Sequence, residues 1–407
     1  MPVVTFKLLL AFTNLRRQLR KNILVLILCA VMVGFLGLYS SSIQVNQAQL
    51  SSLPKSIPVK AHITNLKGSW KTGLLISGNL LERIEATGQV KDMKITAQMT
   101  ANFAPETPKE RKKPKAIKLT AANDIAALSS VDTDIDPDFF YNNEATCLVS
   151  RDFMNENDLN IGDDIELDVY QLISFDGLFK NEEYLTECTL TIGGSFDVSE
   201  SASISELSVM PNIVLPLDWV KTLFSENGAN FYADSASFFV KDPMQLNKFK
   251  ASMQKFVLFP VNPQADEKAY GYALAVNDET FIRAAKSIND NLRLLRLFMP
   301  LLIIVTLLVG FVISYVMMQS RRSEFAVMRM LGMKMVSCLV IYLIENASIS
   351  MVGALIGSVA SILLTGASAS AGFLAAAIFW AAYMLGVMAS VLSLRRVSVI
   401  TMLTKTD

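Results

Sequence analysis

Histidine is almost missing: His62 is the one copy among 407 residues. A single imidazole excludes H-E-x-x-H zinc chemistry and any multi-histidine metal site. A Ser-His-Asp triad would have to recruit His62, which lies on a predicted strand with nothing catalytic beside it, so a structural histidine is the simpler reading. No G-x-x-x-x-G-K-[ST] run occurs, so the chain has no P-loop to cradle nucleotide phosphates on backbone amides. No catalytic residue and no metal ligand set is therefore expected. Charge is sparse as well: Asp, Glu, Lys and Arg make up 18% of the residues, against 52% hydrophobic and a mean hydropathy of +0.38. That balance excludes an ordinary soluble protein.

What fills the space is long apolar sequence. Four windows, 23–39, 297–318, 335–363 and 372–394, approach or exceed the roughly 20 apolar residues that cross a bilayer core. Between Met335 and Leu394 the only carboxylate or cation is Glu345. A soluble helix has no reason to be apolar on every face. The expected fold class is a membrane α+β protein: four transmembrane helices, with a large extracytoplasmic α+β domain inserted between helices 1 and 2. The expected division is 1–42 (cytoplasmic amphipathic helix and helix 1), 43–291 (outer domain) and 292–407 (helices 2–4).

The charged residues are segregated. Residues 1–21, the 319–334 loop and the C-terminal tail together hold twelve basic and two acidic residues, whereas 43–291 holds 23 basic and 34 acidic. Lys and Arg in short flanking loops stay cytoplasmic, so both termini and the 319–334 loop are expected inside and 43–291 outside. A cleaved signal peptide competes for residues 1–42. The long amphipathic FKLLLAFTNLRRQLRKN and the lack of a small-x-small site in LGLYSSS favour an uncleaved anchor.

Within 43–291, strand patterns recur at Val59–Thr64, Met93–Met99, Ile165–Tyr170, Cys188–Phe196, Asn212–Leu217 and Ser237–Lys241. Helical patterns cover Leu75–Glu85, Pro216–Phe224 and Asp242–Phe256. The stretch 277–300 predicts a helix running directly into the second span, with Asn277 or Asp278 as its cap. The basic run 104–118 cannot bury a core and reads as a solvated loop, or as a contact for anionic lipid or polymer. Residues 132–138, DTDIDPD, superficially resemble a calcium loop, but Pro137 and Asn143 stand where an EF-hand needs Gly and Glu. Of the four cysteines, Cys147 and Cys188 lie in the outer domain and are a candidate disulfide in an oxidising compartment.

The most specific signal is residues 321–358, RRSEFAVMRMLGMKMVSCLVIYLIENASISMVGALIGS. Glu324, Phe325, Val327, Met328, Arg329 and Leu331 fall on a short amphipathic helix over 323–333, which Gly332 ends. Such a helix suits docking into a partner's groove, and equally suits lying on lipid. Glu345 inside a span is either a polar contact within the bundle or snorkels to the cytoplasmic face. Gly353 and Gly357, one turn apart, would admit close helix packing.

This stretch resembles the loop between the second and third spans of FtsX-like permeases, including the MacB and LolC/LolE branches. Glu324, Ala326, Arg329, Leu331-Gly332, Glu345 and Gly353-xxx-Gly357 occupy that family's positions, with Met330 where a smaller residue is usual. ATCLVSRDFMNENDLNIGDDIEL, residues 145–167, similarly resembles the MacB-type outer core, and LTIGGSF and IVLPLDWVKTLF resemble its later elements. The resemblance implies the non-catalytic permease subunit of a type VII ABC transporter in a bacterial cytoplasmic (inner) membrane. Implied partners are two copies of a separate ABC ATP-binding subunit, which hold the ATP and Mg, and a second permease subunit, identical or different. An outer protein or peptide partner and the lipid bilayer complete the set; nucleic acid is not expected. The implied action is mechanotransmission from ATP hydrolysis to the outer domain. A membrane-anchored receptor without an ATPase is the alternative from another class.

Overall fold

The computed structural model describes residues 13–14, 16–104, 117–128, 131–132, 136–175, 179–198, 210–267, 269–321, 324, 327–328, 330–366 and 369–394. Most of the basic run (105–116) and residues 133–135 of the acid-rich stretch lie outside that set. In chain order the helices are α1 (Leu19–Ser56), α2 (Gly78–Ala86), α3 (Arg151–Glu156), α4 (Leu217–Glu226), α5 (Leu246–Gln254), α6 (Glu279–Ser320), α7 (Met335–Thr365) and α8 (Ala369–Leu394). The strands are β1 (Lys60–Asn65), β2 (Ile76–Ser77), β3 (Val90–Phe103), β4 (Ile117–Ala122), β5 (Val131–Asp132), β6 (Thr146–Ser150), β7 (Asp164–Phe175), β8 (Phe179–Val198), β9 (Ile213–Pro216), β10 (Tyr232–Ala233), β11 (Ser235–Val240), β12 (Phe259–Pro260) and β13 (Tyr272–Val276). The chain divides into two compact units, Met1–Leu53 with Arg283–Asp407, and Pro54–Ile282.

The first unit is helical. Helices α1, α6 and α7, and α8 over Gly372–Leu392, are each long and apolar enough to cross a membrane. Leu24, Val31, Leu297, Leu308, Leu363 and Leu392 stay exposed on them. A bilayer, unlike water, imposes no hydrophobic cost on that exposure, so helix contacts must come from close packing and polar groups instead. Small residues supply the packing. A Cβ on Gly353 would sit 2.8 Å from Cys29 Cβ and 2.9 Å from the Leu26 carbonyl oxygen of α1. One on Gly357 would collide with the Ala30 carbonyl oxygen, and one on Gly386 of α8 with Leu307 of α6. Buried α7 residues recur at Cys338, Tyr342, Glu345, Ile349, Gly353 and Gly357, three or four positions apart, which places them on one face. Polar side chains add ties: Tyr39 Oη donates to the Leu295 carbonyl (2.6 Å) and Tyr342 Oη to the Ser314 carbonyl (2.7 Å).

The second unit is α+β. Its main sheet has eleven strands among the described residues. β3 pairs with β4, β4 with β9, β9 with β6, β6 with β8, β8 with β7, and β7 returns to β3, so six strands close on themselves. The first part of β3 pairs instead with β11, which leads on through β1 and β13 to the short edge strand β12. β3 can serve both halves because it is 14 residues long. Leu217, Val220 and Phe224 put one buried face on α4. Ser150 Oγ accepts from the Phe153 amide (3.3 Å), capping α3. β12 is blunted by Pro260, which has no amide to offer an incoming strand.

The register of β6 on β8 corrects one expectation. Cys147 lies opposite Ile192, four residues along β8 from Cys188. That offset is roughly 13 Å of strand, whereas a disulfide needs α-carbons within about 7 Å. Cys147 and Cys188 are free thiols.

Candidate functional site

The helical path into α1 begins before Leu19. The Gln18 amide donates to the Asn14 carbonyl (3.3 Å) and the Asn22 amide to the Gln18 carbonyl (3.2 Å). Asn14 and Gln18 are therefore one turn apart on one face. At the far end of α6, Arg321 follows the last helical residue and is 5% exposed. Glu345, ten positions into α7, is 3% exposed.

These residues converge. Arg321 Nη1 donates to Glu345 Oε2 in a buried ion pair. Asn14 Nδ2 donates to the other Glu345 oxygen at 2.9 Å. Gln18 Nε2 donates to Glu324 Oε1, also at 2.9 Å, and Glu324 Oε2 lies 3.4 Å from Arg321 Nε. A lone carboxylate in a span costs about 2.5–3.5 kcal/mol to insert; here a guanidinium and an amide surround it. One cation faces two carboxylates, and Glu324 is the partly exposed one.

Beyond the cluster the chain displays apolar side chains outside the spans. Val327, Met330 and Leu331 are 50%, 75% and 80% exposed. The Leu331 amide donates to the Val327 carbonyl (3.0 Å) and that of Met333 to Met328 (3.2 Å), and the described residues Val327, Met328 and Met330 are helical before a reversal at Gly332. Gly332 has φ +86°, a left-handed conformation that a side chain would strain. Phe325 and Arg329 of the expected docking set lie outside the described residues.

The sequence had marked Glu324, Glu345 and the displayed apolar residues. It had treated Arg321 only as one of several cytoplasmic cations, and it singled out neither Asn14 nor Gln18. The available signal was the amide pair at i and i+4 among the arginines of TNLRRQLRK.

The other candidates are structural. His62 is half-buried on β1; burial, with Lys71 and Lys60 adding, pushes its pKa down and keeps it neutral. A cleft of about 290 Å³ beside β13 is lined by Leu258, Leu274 and Val276, with Lys250 on its wall. Lys250 is already committed to Asp278 at 2.6 Å. Asp136 accepts from the Asp138 amide (3.1 Å), ordering a turn, and no metal-holding cluster occurs among the described residues.

Residues 296–403 match the FtsX-like permease C-terminal domain. Two solved structures are similar to part of the chain. A domain ascribed to a permease protein of Porphyromonas gingivalis is 18% identical, with 54% of this chain and 89% of that one covered and a TM-score of 0.28. The extracellular domain of the noncanonic ABC-type transporter YknZ from Gram-positive bacteria is 10% identical, with 53% and 99% covered and a TM-score of 0.27. No protein of curated function matches the sequence.

Proposed function

We propose, from the match of residues 296–403 to the FtsX-like permease C-terminal domain, that this chain is an FtsX-like permease of an ABC transporter and couples a separate ATPase to its outer domain. The ATPase subunits, two per assembly, hold ATP and Mg, and a second permease subunit, identical or different, completes the assembly. The membrane is the bacterial cytoplasmic (inner) membrane, with both termini inside and residues 43–291 outside. The reading is supported above all by Val327, Met330 and Leu331, displayed beside the buried Arg321–Glu345 pair. An apolar face on a short helical segment fits a groove in a partner protein. The pair lets a push on that segment reach the α6–α7 bundle. Because the α6 helix is continuous from Glu279 to Ser320, it also supplies a stiff path along the chain toward the outer domain.

Output is movement of the outer domain: mechanotransmission of the type VII kind. It serves export or extraction of a peptide, lipoprotein or drug, or activates an outer partner. Glu345 is the only carboxylate or cation between Met335 and Leu394, and a path without charged side chains leaves charged cargo unsatisfied. The test is co-purification with an ABC ATPase. Leu331→Asp is expected to abolish the complex while the permease still elutes as a folded species. An unimpaired complex would move the docking site elsewhere, and a chain that binds no ABC ATPase would leave a membrane-anchored receptor as the better reading.

A further inference from the structure

Two amides outside the spans hold two carboxylates that belong to different parts of the bundle. Asn14 binds Glu345 of α7, and Gln18 binds Glu324 in the expected docking segment. We propose that the helical turn carrying Asn14 and Gln18 is a positioning ledge for the docking segment, fixing Glu324 relative to α7. The proposal rests on reading 323–333 as the ATPase-docking segment.

Three observations carry it. The turn is continuous with α1 through backbone hydrogen bonds, and α1 is packed on α7 at Gly353 and Gly357. A side chain on that turn therefore has a fixed position relative to Glu345. Next, Glu324 has two approaches, and they are unequal. Gln18 Nε2 makes a 2.9 Å hydrogen bond, whereas Arg321 Nε, at 3.4 Å, makes none. Arg321 is already spent on Glu345 through Nη1. Gln18 is thus the closer restraint on Glu324. Finally, Glu324 stands three residues before Val327, whose side chain is half exposed, so the restraint on Glu324 acts next to the displayed apolar residues in sequence. A hydrogen bond to a charged group is strong enough to shift an equilibrium about tenfold or more.

The ledge has a simple logic. Free docking segments pay an ordering cost when they bind, and a segment held ready does not. Gln18 and Asn14 act through Glu324 and Glu345.

Distances are read in the full chain with Cys188→Ser and spin labels at Arg17→Cys and Val327→Cys, and ATPase binding is read in the unlabelled chain with Val327 intact, which is the parent for affinity. The parent is expected to give one narrow distance distribution. Gln18→Leu should broaden it about twofold, and so should Gln18→Glu, which sets two carboxylates against each other. Gln18→Glu combined with Glu324→Gln should restore the narrow distribution, because the amide then donates in the opposite direction. That rescue also guards against a Gln18→Leu chain that merely folds poorly. Affinity for the ATPase should fall about tenfold in Gln18→Leu and recover in the swap. An unchanged distribution in Gln18→Leu, a swap that fails to restore it, or broadening without loss of affinity would each overturn the ledge. A parent that binds no ABC ATPase would instead remove the docking reading, while the label distances would still decide whether Gln18 holds the segment.

Discussion

Arg321 and Glu345, 24 positions apart in sequence, form an ion pair in which neither side chain is more than 5% exposed. Breaking such a pair by removing one partner strands the other charge and costs about 3–5 kcal/mol, whereas replacing both with apolar groups is often neutral. Arg321→Met and Glu345→Leu are each expected to lower the melting temperature in detergent by several degrees, and the double variant to regain most of the loss. A double variant no more stable than the singles would show that the pair is not what those residues contribute.

The glycines of α1 and α7 offer a paired comparison. A Cβ on Gly34 meets nothing within 4 Å, whereas one on Gly357 meets the Ala30 backbone. Gly34→Ala should leave stability unchanged or raise it slightly, since alanine is the better helix former by about 1 kcal/mol. Gly357→Ala should push α1 from α7 and cost about 1–3 kcal/mol. Equal melting temperatures for the two variants would contradict the close approach.

Much of this was legible beforehand, for identifiable reasons. The spans could be read because lipid-facing helices are apolar all round, and that signal survives in any single sequence. Alternation gave strands such as Ser237–Lys241, where β11 buries every second residue. β4 escaped because IKLTAA is buried on both faces and shows little alternation. The closure of β7 onto β3 joins residues about 70 positions apart, and no local pattern encodes that pairing. In the polar cluster, Glu345 stood out because a carboxylate in an apolar run is costly. Asn14 and Gln18 did not, since uncharged amides among arginines read as ordinary surface. Their roles appear only when α1, α6 and α7 bring residue 14 to residue 345.

The outer cysteines titrate far from their usual range. Burial pushes the Cys147 thiol up from 9.0 to about 12, and burial with the nearby Asp168 and Glu187 does the same to Cys188. Both thiols are therefore protonated at pH 8, and alkylation by iodoacetamide should be slow until denaturant is added. The folded chain keeps these protons up to about pH 12 while the unfolded chain releases them near pH 9. The cysteine contribution to stability is thus present below pH 9 and is lost as pH rises toward 12. Rapid native labelling of Cys147 would be incompatible with its burial, and a Cys147–Cys188 bond on mild oxidation with the register of β6 on β8.

The proposed orientation rests on the segregated charge. Reporters fused after Lys21 or Arg322 should read cytoplasm, and one inserted near Lys112 should read outside, because basic flanks resist translocation. A cytoplasmic signal at Lys112 would invert the proposed arrangement and place the docking segment on the side without ATP.

Relayed movement makes the strongest demand on α6. This helix has 42 residues, about 63 Å at 1.5 Å per residue, with Pro300 inside it. Pro300 already forfeits one backbone hydrogen bond, so the rest of the helix must carry any displacement. Ile288, on the stretch before the apolar span, is a suitable place to break it. Ile288→Pro removes a second donor and sets a ring against the preceding turn, at a cost of about 3 kcal/mol to the local helix. The docking segment is untouched, so assembly with the ATPase and ATP hydrolysis should persist. The readout is the distance between spin labels at Tyr270→Cys, an 82% exposed site, in two paired subunits. In the parent that distance should change when a non-hydrolysable nucleotide is added; in Ile288→Pro the change should vanish. A nucleotide response that survives Ile288→Pro would mean that α6 does not carry the motion, and a substrate path between paired spans would then explain the machine better.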